Sequence, residues 1–118
     1  MKNQSFFIRF GFAAAGIKTA IRGESSFRIQ VSITVIVLLA LGILQATTLW
    51  WAIITLCIAM VLTAEMFNTA LEHLIDHIHP DRHTAIGVAK DCAAGAVLIS
   101  SLASVVIFGF FLIDRFSN

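Results

Sequence analysis

Two long uncharged blocks dominate this chain, and the polar interruptions around them set the elements it predicts. Between Arg28 and Glu65 stand 36 residues without a formal charge, whereas one membrane-crossing helix needs about 20 apolar residues. The block divides at 42–48, where Gly42, Gln45, Thr47 and Thr48 cluster ahead of Trp50 and Trp51. Paired tryptophans suit the membrane–water boundary, so a tight hairpin is predicted there, with one span over 26–46 and a second over 49–72 that reaches on into the 70s. The second block, 92–113, holds 22 uncharged residues and predicts a third span. Pro80, the only proline, stands beside Asp81 and stops a helix arriving from the second span; a short turn over 79–85 follows. Upstream, Phe6, Phe10, Ile17 and Ile21 recur at helical spacing with Lys2, Arg9, Lys18 and Arg22 around them, the pattern of an interfacial amphipathic helix over 4–23. The expected fold is all-α and integral to the membrane: three transmembrane helices and an N-terminal surface helix in one domain, 1–118.

Composition agrees. Of 118 residues 58% are hydrophobic and 13% charged, against roughly 25% charged in soluble domains, which argues against a water-soluble domain. A net charge of +1 supplies no basic field, so no nucleic-acid partner is expected. Cys57 and Cys92 lack a metal or redox spacing and are expected as buried packing residues. The apolar run after Arg9 is short and soon meets Lys18, Arg22, Glu24 and Arg28, which argues against a cleaved signal peptide. Lys2, Arg9, Lys18, Arg22 and Arg28 precede the first span, Arg82 and Lys90 lie between the second and third, and the hairpin carries no charge. The positive-inside rule then places the N-terminus and the 73–91 connection in the cytoplasm. In the third span Cys92, Ala96, Ser100 and Ser104 form a stripe of small residues suited to close helix packing, leaving Val97, Leu98, Leu102, Val105 and Phe108 as candidates to face lipid.

The carboxylates change the picture from anchor to chemistry. Glu65, Asn68, Thr69, Glu72 and Asp76 follow a spacing of i, i+3, i+4, i+7 and i+11, which puts all five on one helix face. Glu65 directly follows a long apolar run, where an ionisable group is expensive unless paired and functional use is the default reading; a purely structural hydrogen-bonding role is the alternative. Glu24 and Asp91 would join these groups at the cytoplasmic boundary. Several carboxylates without thiols suit a hard cation such as Mg2+ that also contacts phosphates. Lys90 and the N-terminal basic residues could offset phosphate charge, Asn68 could orient a phosphoryl oxygen or nucleophile, and a carboxylate in a dry position suits a general base. There is no GxxxxGK[ST] loop and no HRD or DFG set. His73, His77, His79 and His83 resemble a zinc cluster, but they match no closed four-ligand spacing and read more simply as a hydrated turn.

The run Glu65-Met-Phe-Asn68-Thr69-Ala70-Leu71-Glu72, continuing to Asp76, is similar to the E-x-x-N-[ST]-A-[IL]-E-x-x-x-D signature of the prokaryotic diacylglycerol kinase family, which includes the undecaprenol kinases. Ala89-Lys90-Asp91, Ala94-Gly95-Ala96-Val97-Leu98, Gly16 and Glu24-Ser25-Ser26-Phe27-Arg28 resemble further family segments in order. The resemblance implies a homotrimeric lipid kinase of the bacterial inner membrane that uses Mg-ATP at composite sites on the cytoplasmic side. By position, it implies Glu65 as the general base, Glu24 and Glu72 as holders of the nucleotide's Mg2+, and Asn68, Asp76, Lys90 and Asp91 as nucleotide-binding groups. Arg9 and Arg28 would meet the lipid headgroup or anchor to phospholipid. Diacylglycerol and undecaprenol both present one hydroxyl on an apolar body; Thr69 matches the version of the signature common among undecaprenol kinases. Gln30 stands where enterobacterial diacylglycerol kinases carry an acidic residue, and the Trp and Tyr residues of their surface helix are absent here. A proton- or cation-coupled transporter with Glu65 as coupling carboxylate is the alternative from another class, though it accounts for Glu65 alone.

Overall fold

The computed structural model describes residues 3–81 and 83–117; Lys2 and Arg82, counted above among the orienting charges, lie outside the described residues. Four helices follow one another: α1 (Phe6–Gly23), α2 (Ser25–Ile43), α3 (Thr48–Ile78) and α4 (Thr84–Ser117). The last three are long and apolar enough to cross a membrane. Many of their large apolar side chains are exposed, among them Ile33, Ile36, Leu39, Leu56, Leu98, Leu102 and Val105, the outward surface that a hydrocarbon solvent would cover.

Helix α3 runs on beyond 72 to the stop that Pro80 predicts, and α4 runs past the expected 92–113 span at both ends. At 31 and 34 residues they measure about 46 and 51 Å, against about 30 Å of hydrocarbon. Formal charges mark where an apolar run ends, not where a helix ends. Helix α3 therefore continues through the polar 72–78 stretch until Pro80 disfavours helical backbone at His79. Helix α4 begins at Thr84 instead of Cys92, because Lys90 and Asp91 interrupt hydrophobicity but break no backbone hydrogen bond. The turn is correspondingly shorter than 79–85. His79 Nδ1 donates to the Asp81 carbonyl at 2.9 Å, and the Ala85 N–H donates to His83 Nδ1 at 3.1 Å.

The hairpin between α2 and α3 closes with the hydrogen bonds of a Schellman motif: Ala46 N–H to the Leu41 carbonyl at 2.9 Å and Gln45 N–H to the Gly42 carbonyl at 3.2 Å. Gln45 holds the left-handed position at φ 53°. Beneath it lies the apolar core of Leu41, Ile54 and Phe111, with Trp50 edge-on to Phe111 at 5.5 Å. The Trp50 indole N–H donates to Asp114 Oδ2 at 2.8 Å, and Arg115 Nε donates to the Leu44 carbonyl. The buried stripe of α3 comprises Ile54, Cys57, Val61, Glu65 and Thr69, so one carboxylate lies in the same seam as the core.

Of the candidates to face lipid, Leu98, Leu102 and Val105 are exposed, while Val97 and Phe108 are half-buried, Phe108 packing against the core. Cys57 is buried, but Cys92 is exposed, since α4 starts well before it and turns that face outward. Ala96 and the buried Ser100 of the small-residue stripe line one open groove of about 930 Å³ with Ala59, Thr63, Ala93 and Ala103. Hydroxyls on these helices bond back along their own turns, Ser100 to the Ala96 carbonyl and Ser104 to the Ser100 carbonyl at 2.9 and 2.8 Å, which satisfies them without water.

Candidate active site

The polar face of α3 is graded along its length. Glu65 is 2% exposed and Thr69 is buried, Asn68 and Glu72 are half-buried, and Asp76 is exposed. Position along the helix therefore sets how dry each group is. Glu65 Oε2 accepts a hydrogen bond from Ser26 Oγ, in the first turn of α2, at 3.2 Å. Asn68 Oδ1 is buried and has no hydrogen-bond partner among the described residues, an arrangement whose cost invites explanation.

Helix α1 delivers Glu24 to this region. Its C-terminal end rests on α2 and α3 with Ala20 buried, and Glu24 is the single residue between α1 and α2. The Glu24 N–H closes α1 on the Ala20 carbonyl at 2.9 Å, while its carbonyl accepts the Arg28 N–H at 3.2 Å. Arg28 Nη1 donates to the Ile21 and Arg22 carbonyls at 3.0 and 2.9 Å, a cation placed on the negative end of α1. The corner so pinned carries Glu24 Oε1 to 3.4 Å from His73 Nε2 on α3. A cleft-side pair completes the region: Lys90 Nζ, on α4, donates to Asp76 Oδ1 at 2.6 Å. Their side chains are 35% and 64% exposed, so the pair adds little stability; its consequence is a cation held at the edge of the acidic face.

These contacts bring Glu65, Glu24, Asp76 and Lys90 to one end of the bundle, each held by a neighbouring helix. Glu72 is half-buried on α3, Asp91 is exposed on α4, and Arg9 is exposed in α1, with no side-chain hydrogen bond or ion pair for any of the three among the described residues. An open polar recess of about 520 Å³ adjoins Lys90, lined by His79, Pro80, Asp81, His83 and Gly87. Among the described residues no three His, Cys, Asp or Glu side chains gather as a metal cluster. Mg2+, however, is commonly held by one or two carboxylates with the remaining positions left to water and phosphate, and the donor chemistry of Glu24 and Glu72 fits that mode. The sequence pattern singled out neither Ser26 nor His73 as a partner.

Comparison with known proteins decides what such a bundle is. Residues 11–112 match the family model for prokaryotic diacylglycerol kinase. The chain belongs to that family. It is 35% identical to the diacylglycerol kinase of Synechocystis sp. (strain ATCC 27184 / PCC 6803 / Kazusa) over 90% of this chain and 61% of that protein, so the match spans less than two thirds of that relative. It is 34% identical to the undecaprenol kinase of Bacillus subtilis (strain 168) over 86% of this chain and 83% of the relative. Against the diacylglycerol kinase of Escherichia coli (strain K12) identity is 29%, over 90% and 87%. The prokaryotic diacylglycerol kinase family is one of lipid kinases, and the matched segment contains Glu24, Glu65, Glu72, Asp76, Lys90 and Asp91 together.

Proposed function

We propose that this chain transfers the γ-phosphoryl group of Mg-ATP to the hydroxyl of a membrane lipid at the cytoplasmic face of the bacterial inner membrane, the acceptor being diacylglycerol, giving phosphatidic acid, or undecaprenol, giving undecaprenyl phosphate. The observation that carries this reading is Glu65: a carboxylate 2% exposed in the seam of a membrane-length helix, with a hydroxyl donor on one oxygen. In that position it takes the proton of the lipid hydroxyl. The acceptor oxygen then bonds to the γ-phosphorus as the bond to ADP breaks, and the proton passes from Glu65 to water. Glu24 and Glu72 hold Mg2+, which when bound neutralises phosphate charge. Lys90, Asp76, Asp91 and Asn68 orient the nucleotide, with the recess beside Lys90 available to its outer part. The basic residues of α1 hold that helix on the headgroup layer, where Arg9 and, from the α1–α2 corner that it also pins, Arg28 of α2 meet lipid phosphates.

The homotrimer is supported by the groove along α3 and α4, where Ala59, Ala93, Ala96 and Ala103 let another helix approach closely, and by Asn68, which lines that groove and whose Oδ1 has no hydrogen-bond partner among the described residues. Thr69 and the neutral Gln30 favour undecaprenol between the two acceptors. A coupled transporter would leave the Glu24–His73 and Asp76–Lys90 contacts without purpose.

The test is transfer of radiolabelled phosphate from ATP by purified protein in mixed micelles, with diacylglycerol and undecaprenol in parallel and with or without Mg2+. Magnesium-dependent labelling of either lipid supports the reading, and the preferred acceptor identifies the substrate. A folded, assembled protein that labels neither lipid overturns it.

A further inference from the structure

Ser26 has no role in the reaction as described, yet its hydroxyl makes the side-chain hydrogen bond to Glu65 that the described residues provide. We propose that Ser26 is a positioning residue for Glu65: its hydroxyl fixes Oε2, so that Oε1 is presented to the hydroxyl of the lipid acceptor. This rests on the reading of Glu65 as the base.

Three observations carry it. First, Glu65 is buried between Val61 one turn before it and Thr69 one turn after, both buried as well, and among the described residues the side-chain hydrogen bond to its carboxylate comes from Ser26. A carboxylate has two acceptor oxygens; fixing one decides where the other points, and proton transfer needs heavy atoms about 2.6–3.2 Å apart. Second, Ser26 is itself held in place. It lies in the first turn of α2, next to the corner that Arg28 pins through the Ile21 and Arg22 carbonyls, and it precedes the buried Phe27. Third, the corner that supplies Ser26 also supplies Glu24 two residues earlier. One rigid turn thus sets both the carboxylate on the phosphate side and the partner of the base, which ties the separation of donor and acceptor to a single element. Orientation of this kind lowers a barrier without taking part in bond making. The serine keeps its own proton throughout; the lipid proton goes to Oε1.

A serine that merely tethers α2 to α3 would affect stability and leave turnover per folded enzyme alone. The experiment therefore separates the two readouts. Ser26→Ala, Ser26→Thr, Ser25→Ala and Glu65→Gln are purified in micelles, and each is assayed for kcat, for KM of ATP and lipid, for thermal unfolding and for elution volume. Removing a hydrogen bond to a charged group predicts a fall in kcat of about tenfold or more for Ser26→Ala, with KM for ATP within about twofold. Ser26→Thr, which keeps the hydroxyl, restores kcat to within about threefold of the parent. Ser25→Ala, altering an adjacent exposed serine, leaves kcat unchanged. Should Ser26→Ala fail to assemble, Ser26→Cys carries the test, being close in size but a weak donor, and is expected to lose kcat in the same direction. A Ser26→Ala or Ser26→Cys protein that is folded and turns over at the parent rate overturns the positioning role. So does a Ser26→Thr protein as slow as Ser26→Ala. If Glu65→Gln keeps full activity, the reading of the base fails first and the serine has nothing to position; if Glu65→Gln is inactive while Ser26→Ala is normal, only the inference about Ser26 fails.

Discussion

The two ends of the α2–α3–α4 bundle are made from the same three helices and treat polar side chains in opposite ways. At the hairpin end polar groups close on one another over an apolar core: Trp50 on Asp114, Arg115 on the Leu44 carbonyl, and Leu41, Ile54 and Phe111 beneath. At the other end a buried carboxylate has a serine on one oxygen, Asn68 Oδ1 has no partner among the described residues, and Lys90 meets Asp76 across an open edge. Satisfied polar groups stiffen a fold, whereas buried groups with unused hydrogen-bonding capacity cost stability and are tolerated where chemistry needs them. The difference teaches that the hairpin end holds the helices in register so that the other end can remain polar and open, as the proposed reaction requires.

The largest expected effect breaks the reactive end alone. Glu65→Gln keeps the size of the side chain and removes the proposed base, so kcat should fall by about a hundredfold or more, while thermal unfolding in micelles stays near that of the parent. Parental turnover in this variant would erase the distinction between the ends. The converse change belongs to the core. Phe111→Ala removes a side chain 1% exposed, and truncations of this kind cost about 3–5 kcal/mol. Its denaturation midpoint should drop sharply, yet kcat per folded enzyme at low temperature should stay within about twofold. A selective loss of kcat without loss of stability would show that the hairpin end takes part in the chemistry.

A smaller effect is expected from Lys90→Gln. The Lys90–Asp76 pair is too exposed to matter much for folding, about 1 kcal/mol or less. Its cation, placed beside the polar recess, should matter for ATP: KM for ATP rising about tenfold with little change in the unfolding midpoint. Unchanged ATP dependence would make this pair an ordinary surface contact.

How far the sequence reached follows from the same geometry. The last three helices were legible because uncharged blocks, paired tryptophans and a lone proline divide the chain wherever hydrogen-bonding or solvent demands change, and α1 because Phe6, Phe10, Ile17 and Ile21 recur at helical spacing. The end of α3 was legible from Pro80, but the ends of α4 were not, since a helix passing from lipid into water loses its hydrophobic signal before it loses its hydrogen bonds. Glu65 was legible as a carboxylate after a long apolar run. Its partner was hidden, because a serine before a span carries no chemical signal of its own. Register supplies what composition lacks: Ser26 and Glu65 are equidistant from the hairpin at Gln45 and Ala46, and Trp50–Asp114 and Asp76–Lys90 are both centred on the connection between α3 and α4. Antiparallel helices of equal rise pair residues symmetrically about their turn, so a correctly placed turn already names the residues that meet. The Glu24–His73 contact escapes this rule, because α1 joins from outside the hairpin.

That dependence on register makes the turn itself the last point to probe. Gln45 occupies the left-handed position of the Schellman motif at φ 53°, a conformation that costs a residue with a side chain about 1 kcal/mol or more and costs glycine almost nothing. Gln45→Gly relieves that strain but also frees the unfolded chain, which offsets part of the gain. The expected net result is a stabilisation of about 1 kcal/mol or less, seen as a rise of a few degrees in the unfolding temperature. Because the Ala46 and Gln45 N–H bonds to Leu41 and Gly42 would be kept, the register of Ser26 against Glu65 is preserved and kcat should not move. A stabilised protein with altered turnover would mean that strain at the hairpin is transmitted to the carboxylate at the far end, and the two ends would then have to be treated as one coupled device.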